Sequence, residues 1–256
     1  MNSEIDINYP SIDEKKRFDN KVSLNGYQIF TAPLDTLSLK SQITISTLNQ
    51  YSYCLAEEDP EFKKALLKSD ILLPDGVGIV FASKFINGKK IKKIAGADLH
   101  EYLLKKMEME KGSCFYLGSS ETNLERIKER LAREYPSIKV ACYSPPYKEK
   151  FDKRDNILMK EAINSFKPDV LFVGMTAPKQ EKWAIENRNL LDAKLICSIG
   201  AVFDFYGGTV TRPTRVFVDH GLEWLGRLIN EPKRRWRRYL LYGPFFFFLL
   251  WKLRWK

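Results

Sequence analysis

The sequence has 256 residues but only two histidines, His100 and His220, and four cysteines, Cys54, Cys114, Cys142 and Cys197, with no C-x-x-C pair among them. That shortage argues against a transition-metal site. Three of the cysteines sit in apolar runs, SCFYLG, KVACYS and KLICSIG, and read as reduced core residues of a cytosolic protein. Neither G-x-G-x-x-G nor G-x-x-x-x-G-K-[ST] occurs, so both the dinucleotide fingerprint and the P-loop are missing. No apolar run is long enough to span a bilayer, which takes about 20 residues of helix. The most apolar window, Leu240 to Trp251, has 12 residues and contains the breakers Gly243 and Pro244. The start, MNSEIDINYPSIDEKKRFDN, is polar and acidic where a signal peptide needs a basic end and an apolar run, so no export is expected.

Negative charge is scarce in one place only. Residues 226–256 hold nine basic side chains against a single acid, Glu231, while the preceding 225 residues carry 33 basic and 31 acidic groups. A near-neutral body excludes a uniformly basic nucleic-acid coat protein, and no nucleic-acid partner is expected. Hydrophobic content of 44% and aromatic content of 13% exclude disorder. Nine of the 33 aromatic residues lie in the basic tail. Phe245, Phe246, Phe247 and Phe248 are consecutive and would cover every side of a helix, which packing on one face does not need. Together with Trp251 and Trp255 they are read as contacts to an anionic membrane surface, in preference to a helix simply packed on the body.

Along the chain, Asn25-Gly26 between two short apolar runs predicts a β-hairpin within 21–33. Apolar runs at 42–46, 70–74, 113–118, 138–144, 169–174 and 194–200 then alternate with helical patterns such as 120–134 and 153–166. The expected fold is α/β: a Rossmann-like, mainly parallel sheet with flanking helices, an N-terminal β-hairpin and a C-terminal basic and aromatic helical appendage. Three parts are expected: a polar segment 1–20, a core 21–225 and the appendage 226–256.

Ligands of such sheets bind outside the carboxyl ends of the strands. There the sequence puts Thr47-Leu48-Asn49, Pro74-Asp75-Gly76, Gly118-Ser119, Ser144-Pro145-Pro146, Gly174-Met175-Thr176 and Gly200-Ala201. Small residues at these turns would let a phosphate approach helix N-terminal amides, and their coincidence at one edge suggests a nucleotide-like ligand. Asp75, directly after an apolar strand, reads either as a general base or as a helix N-cap. Gln180 reads either as a contact to a sugar or base or as an exposed first-turn residue. No Asp-x-Asp pair is available to carry a metal ion; the nearest acids, Glu57-Glu58-Asp59, read as a solvated helix end. A bound diphosphate would then need cationic side chains. Arg227, Arg234 and Arg237 can supply them, although lipid contact and a plain solvated face remain alternatives for the same residues.

The succession TLN (47–49), LLPDGVGIV (72–80), IAGADL (94–99), FYLGSS (115–120), SPPY (144–147), VGMTAPKQEKW (173–183), GAVFDFYGGTV (200–210) and GLEWLGRLINEPKRRWRRY (221–239) closely resembles the WecG/TagA/CpsF glycosyltransferases over about residues 25–240. The resemblance implies an inverting, metal-independent enzyme with no cofactor. It would move an N-acetylmannosamine-type sugar from a UDP-sugar donor to a polyprenyl-diphosphate-linked sugar acceptor at the cytoplasmic face of the membrane, in cell-wall or surface-polysaccharide synthesis. It further implies Asp75 as general base and Thr47 and Asn49 as polar site residues. By the same resemblance Gln180 is a substrate contact, Arg227, Arg234 and Arg237 close over the diphosphate, and the appendage targets the membrane. Gly118, Ser119 and Gly174 are carried as substrate-binding positions, and a homo-oligomer is allowed. Two departures concern the substrates: Lys93 stands where the family usually has Arg, and Arg212-Pro213-Thr214 where it usually reads Arg-Ala-Pro. The competing readings are a non-catalytic UDP-sugar sensor on the membrane and, disfavoured by the neutral body, a nucleic-acid binder.

Overall fold

The computed structural model describes residues 20–37, 41–210, 225, 228, 232 and 236–255. The chain opens with β1 (Lys21–Leu24) and β2 (Tyr27–Phe30). Asn25 and Gly26 join them at φ 49° and 87°, the two left-handed residues that a type I′ hairpin turn requires. Six further strands follow: β3 (Ile43–Leu48), β4 (Ile71–Pro74), β5 (Ser113–Gly118), β6 (Lys139–Tyr143), β7 (Val170–Gly174) and β8 (Leu195–Ser198). The helices are α1 (Gln50–Glu58), α2 (Pro60–Lys68), α3 (Val77–Asn87), α4 (Gly96–Glu110), α5 (Glu121–Glu134), α6 (Lys153–Phe166), α7 (Lys179–Asn187), α8 (Ala201–Tyr206) and α9 (Tyr242–Arg254).

Helix boundaries follow from local chemistry. Asn49 caps α1 in a reciprocal box with Ser52, Ser120 caps α5, and Asp152 caps α6. Asp59 caps α2, with Pro60 in the first turn where no amide hydrogen is needed. The Glu57-Glu58-Asp59 run is thus more structural than its expected reading as a solvated helix end: Glu57 accepts from the Tyr27 hydroxyl at 3.2 Å and pairs with Lys63 at 2.9 Å.

All eight strands form one sheet in the order β1-β2-β4-β3-β8-β7-β5-β6, parallel except for the β1–β2 hairpin. The expected α/β class, parallel sheet and N-terminal hairpin are all present. Alternate side chains of each strand enter opposite layers. Cys114 and Tyr116 join Leu124, Ile127 and Leu131 of α5 on one face, while Phe115 and Leu117 join Met159 and Ile163 of α6 and Trp183 of α7 on the other. From β5 the chain crosses outward to β6, whereas from β7 it returns inward to β8. The strand order therefore reverses between β5 and β7, the switch point beside which open parallel sheets bind ligands.

A third apolar cluster joins the hairpin, α1, α2 and α3 to α9. Phe246 and Leu250 of the tail helix are fully buried in it, and the Phe246 ring meets Tyr53 edge-on at 5.5 Å. Pro244 falls in the first turn of α9, after a π-helical turn over Arg237–Leu241, so it starts the helix rather than interrupting it.

Candidate functional site

The carboxyl ends of β3 and β4 lie level, with Leu48 opposite Pro74. The Asp75 amide donates to the Leu48 carbonyl at 2.8 Å, and the Ile94 amide donates to the Pro74 carbonyl at 2.9 Å. These two bonds gather the Asp75 turn, the Leu48–Asn49 step and the segment carrying Lys93 at one point of the sheet edge. The cap of α3 is Gly76 at φ 98°, a conformation that favours glycine. Asp75 is therefore not the N-cap, and that alternative for it falls away. Asp75 and Lys93 are both half-buried.

Thr47 is half-buried in β3, opposite Leu73. Asn49 is engaged in the fold, since its Oδ1 accepts from the Tyr51 and Ser52 amides, each at 3.0 Å. A ligand contact by Asn49 would fall to its Nδ2. The tail reaches this corner as well. The Arg238 guanidinium lies 4.9 Å from the ring centre of Tyr51, in the first turn of α1, and Arg237 is exposed with its guanidinium 5.5 Å from the Trp236 ring. Arg227 and Arg234 lie outside the described residues, as does the Arg212-Pro213-Thr214 departure.

At the β5/β7 switch point the register pairs Gly118 with Gly174. A Cβ on Gly118, whose φ is 114°, would stand 2.4 Å from the Gly174 carbonyl oxygen, and one on Gly174 would stand 2.4 Å from the Phe203 ring. Packing alone accounts for both glycines. Ser119 holds φ 64°, and its hydroxyl accepts from Asn123 Nδ2 at 2.9 Å. Gln180 is not the exposed residue of its alternative reading. It is buried, its Oε1 accepts from the Gly200 amide at 3.1 Å and its Nε2 donates to Glu181 Oε1 at 2.7 Å, so it ties α7 to the turn after β8.

Glu181 has no place among the residues that the sequence marks as candidates. It is 2% exposed, and among the described residues its Oε2 has no hydrogen-bond partner. Burial raises its carboxyl to about 7, against the opposing bond from Gln180. The available signal is spacing, because Glu181 shares a helix face with Ala184, one turn along.

One membrane-contact assignment is corrected. Phe246 is fully buried against the body and is closed to a bilayer in this conformation. Four consecutive helical residues point in four directions 100° apart, and the body takes one of them. Phe245 is half-buried, whereas Phe247, Phe248, Trp251 and Trp255 are exposed. Among the described residues no helix is long and apolar enough to cross a membrane, and no group of three or more His, Cys, Asp or Glu is arranged to hold a metal ion. The four cysteines are free.

The model of the glycosyl transferase WecG/TagA/CpsF family matches residues 21–256. The chain belongs to that family. Relatives of this glycosyltransferase include the N-acetylglucosaminyldiphosphoundecaprenol N-acetyl-beta-D-mannosaminyltransferases of Bacillus spizizenii, 34% identical over 185 residues, and of Bacillus subtilis, 33% identical over 196 residues. These matches cover 72% and 77% of this chain, and 70% and 74% of the relatives. The enzyme of the same name from Staphylococcus aureus is 27% identical over 225 residues, covering 87% of this chain and 80% of that one. In this glycosyltransferase the α/β body thus carries a glycine-lined switch point and, at the end of β4, the acid Asp75.

Proposed function

We propose that this glycosyltransferase moves an N-acetylmannosamine-type sugar from a UDP-sugar to N-acetylglucosamine on undecaprenyl diphosphate, in cell-wall polysaccharide synthesis. The reading draws on the names of its relatives. The observation that carries the chemistry is the Asp75 turn: an acid held by its backbone at the carboxyl edge of the sheet, in a position where capping does not explain it. Asp75 takes the proton from the acceptor hydroxyl as that oxygen attacks the anomeric carbon, opposite the departing UDP. Attack from the opposite side inverts the anomeric centre.

Charge grows on the diphosphate as the glycosidic bond breaks. Arginines of the tail and amides of the glycine turns stabilise it, a role taken by a divalent ion in other transferases. Arg238, with its guanidinium 4.9 Å from the Tyr51 ring, supports this reading, and Arg227, Arg234 and Arg237 belong to the same set. The acceptor is a lipid, so the enzyme works as a peripheral protein on the inner face of the cell membrane, with the exposed Phe247, Phe248, Trp251 and Trp255 in the interface.

The test is sugar transfer from a panel of UDP-sugars to a lipid-diphosphate N-acetylglucosamine acceptor. Asp75→Asn is expected to abolish transfer while UDP binding persists, and turnover like that of the unaltered enzyme would overturn the assignment. Activity is expected to survive EDTA, and its loss with recovery on adding a divalent ion would overturn metal independence.

A further inference from the structure

We infer that the body itself supplies half of a lipid-docking surface. The outer side of α3 and the lysine-rich segment after it join the outer side of α9 in one anionic-membrane contact. This rests on the membrane part of the reading above and extends it from the tail to residues of the core.

The apolar part of this surface crosses from body to tail. On α3, Val77 and Phe81 are 44% and 46% exposed. The Phe81 ring stacks on Phe85 at 5.7 Å and meets Phe247 of α9 edge-on at 5.5 Å. From there Phe247 and Trp251, four apart along one side of α9, and Trp255, just past its end, continue the patch at 54%, 60% and 73% exposure, with Phe248 beside them at 55%. A helix packed on a soluble body normally turns polar groups outward. Here the inner side holds Phe246 and Leu250, and the outer side is aromatic as well.

Along α3, the segment after it and α9 the charge has one sign, although Glu58 of α1 accepts from the Tyr242 hydroxyl at the start of α9 at 3.4 Å. Between Asp75 and Asp98 the sequence has no acid, and Lys84, Lys89, Lys90 and Lys92 are exposed there. On α9, Lys252 and Arg254 are exposed, and Arg254 bridges the two helices, with its guanidinium 5.1 Å from the Phe85 ring and donating to the Phe85 carbonyl. Cations flanking Phe and Trp suit an interface of anionic headgroups over acyl chains. A second copy docked on the same face would oppose lysine to lysine, which disfavours a symmetric dimer there. Val77 is two residues from Asp75, so lipid at this surface would hold the proposed base beside the membrane.

The test uses the full chain, sedimented with vesicles of equal parts phosphatidylglycerol and phosphatidylcholine, and with phosphatidylcholine alone. Two body variants, Phe81→Glu and the triple Lys89→Glu/Lys90→Glu/Lys92→Glu, are compared with the tail variant Trp251→Glu/Trp255→Glu. All the altered side chains are exposed, and thermal melts check folding. Each body variant is expected to weaken binding to the anionic vesicles at least tenfold, with little binding of any form to phosphatidylcholine alone. If only the tail variant weakens binding, the inference falls and the membrane reading stands. If the unaltered chain ignores anionic vesicles, both fall. If the body variants change the sedimentation coefficient, or the binding of polyuridylate RNA, and leave vesicle binding intact, the face serves another copy or a nucleic acid and the inference is overturned.

Discussion

The two ends of the sheet's carboxyl edge are held in different ways. At β5/β7 residue identity is dictated by packing: Gly118 lies against Gly174, Gly174 against Phe203, and Gln180 is locked between Glu181 and the Gly200 amide. At β3/β4 the turn is fastened by backbone bonds from Asp75 to Leu48 and from Ile94 to Pro74, which any residue at position 75 except proline could supply. The first end explains its own sequence through the fold. At the second, the helix cap is Gly76, so capping does not dictate the acid at position 75, and the proposed chemistry is tested there.

The contrast breaks most sharply on activity. Asp75→Asn keeps the shape of the turn and removes the proposed base, so transfer should fall by at least about 10²- to 10⁴-fold, the usual contribution of a general base. Its melting temperature should move far less than that of a packing variant at the other end. Gly118→Ala is that variant. It forces a Cβ to 2.4 Å from a backbone oxygen and puts alanine at φ 114°, which overpacking and left-handed strain together make about 2–5 kcal/mol destabilising. A thermal melt shifted down by several degrees would support the division. A stable Gly118→Ala enzyme with specifically weakened UDP binding would show instead that this glycine serves the ligand.

Much of this is legible in the sequence, for identifiable reasons. The strand runs, the Asn25-Gly26 hairpin and the helix at 153–166 are readable because period, turn chemistry and capping all agree there. The gathering of Asp75, Asn49 and Lys93 at one corner is foreseeable from the rule that ligands meet strand ends, although the Ile94–Pro74 bond that brings Lys93 in is not. The tail is only half legible. Composition marks it as aromatic and basic, but which ring turns inward depends on helix phase relative to α1 and α3, and that phase assigns Phe246 to the core and Phe247 to the surface. Gln180 reads from its neighbours as an exposed residue or a ligand contact, because nothing local shows that Gly200, 20 positions later, folds onto its amide oxygen.

Glu181 gives the smallest and most precise test of the packed end. Its carboxyl is raised from 4.5 to about 7, chiefly by burial. Below about pH 4.5 the group is protonated in both folded and unfolded chains and costs nothing. As pH rises from 4.5 to 7 the unfolded chain releases a proton that the folded chain retains, so stability declines across that window and stays lower above it. A shift of this size corresponds to roughly 3 kcal/mol. Glu181→Gln cannot ionise, so its stability relative to the unaltered enzyme should climb between pH 4.5 and 7 and level off above, in melts recorded from pH 4 to 8.5. Parallel curves across that range would mean that Glu181 releases its proton in the folded protein as it does in the unfolded chain and is charged at neutral pH. The packed end would then be an electrostatic site like the other.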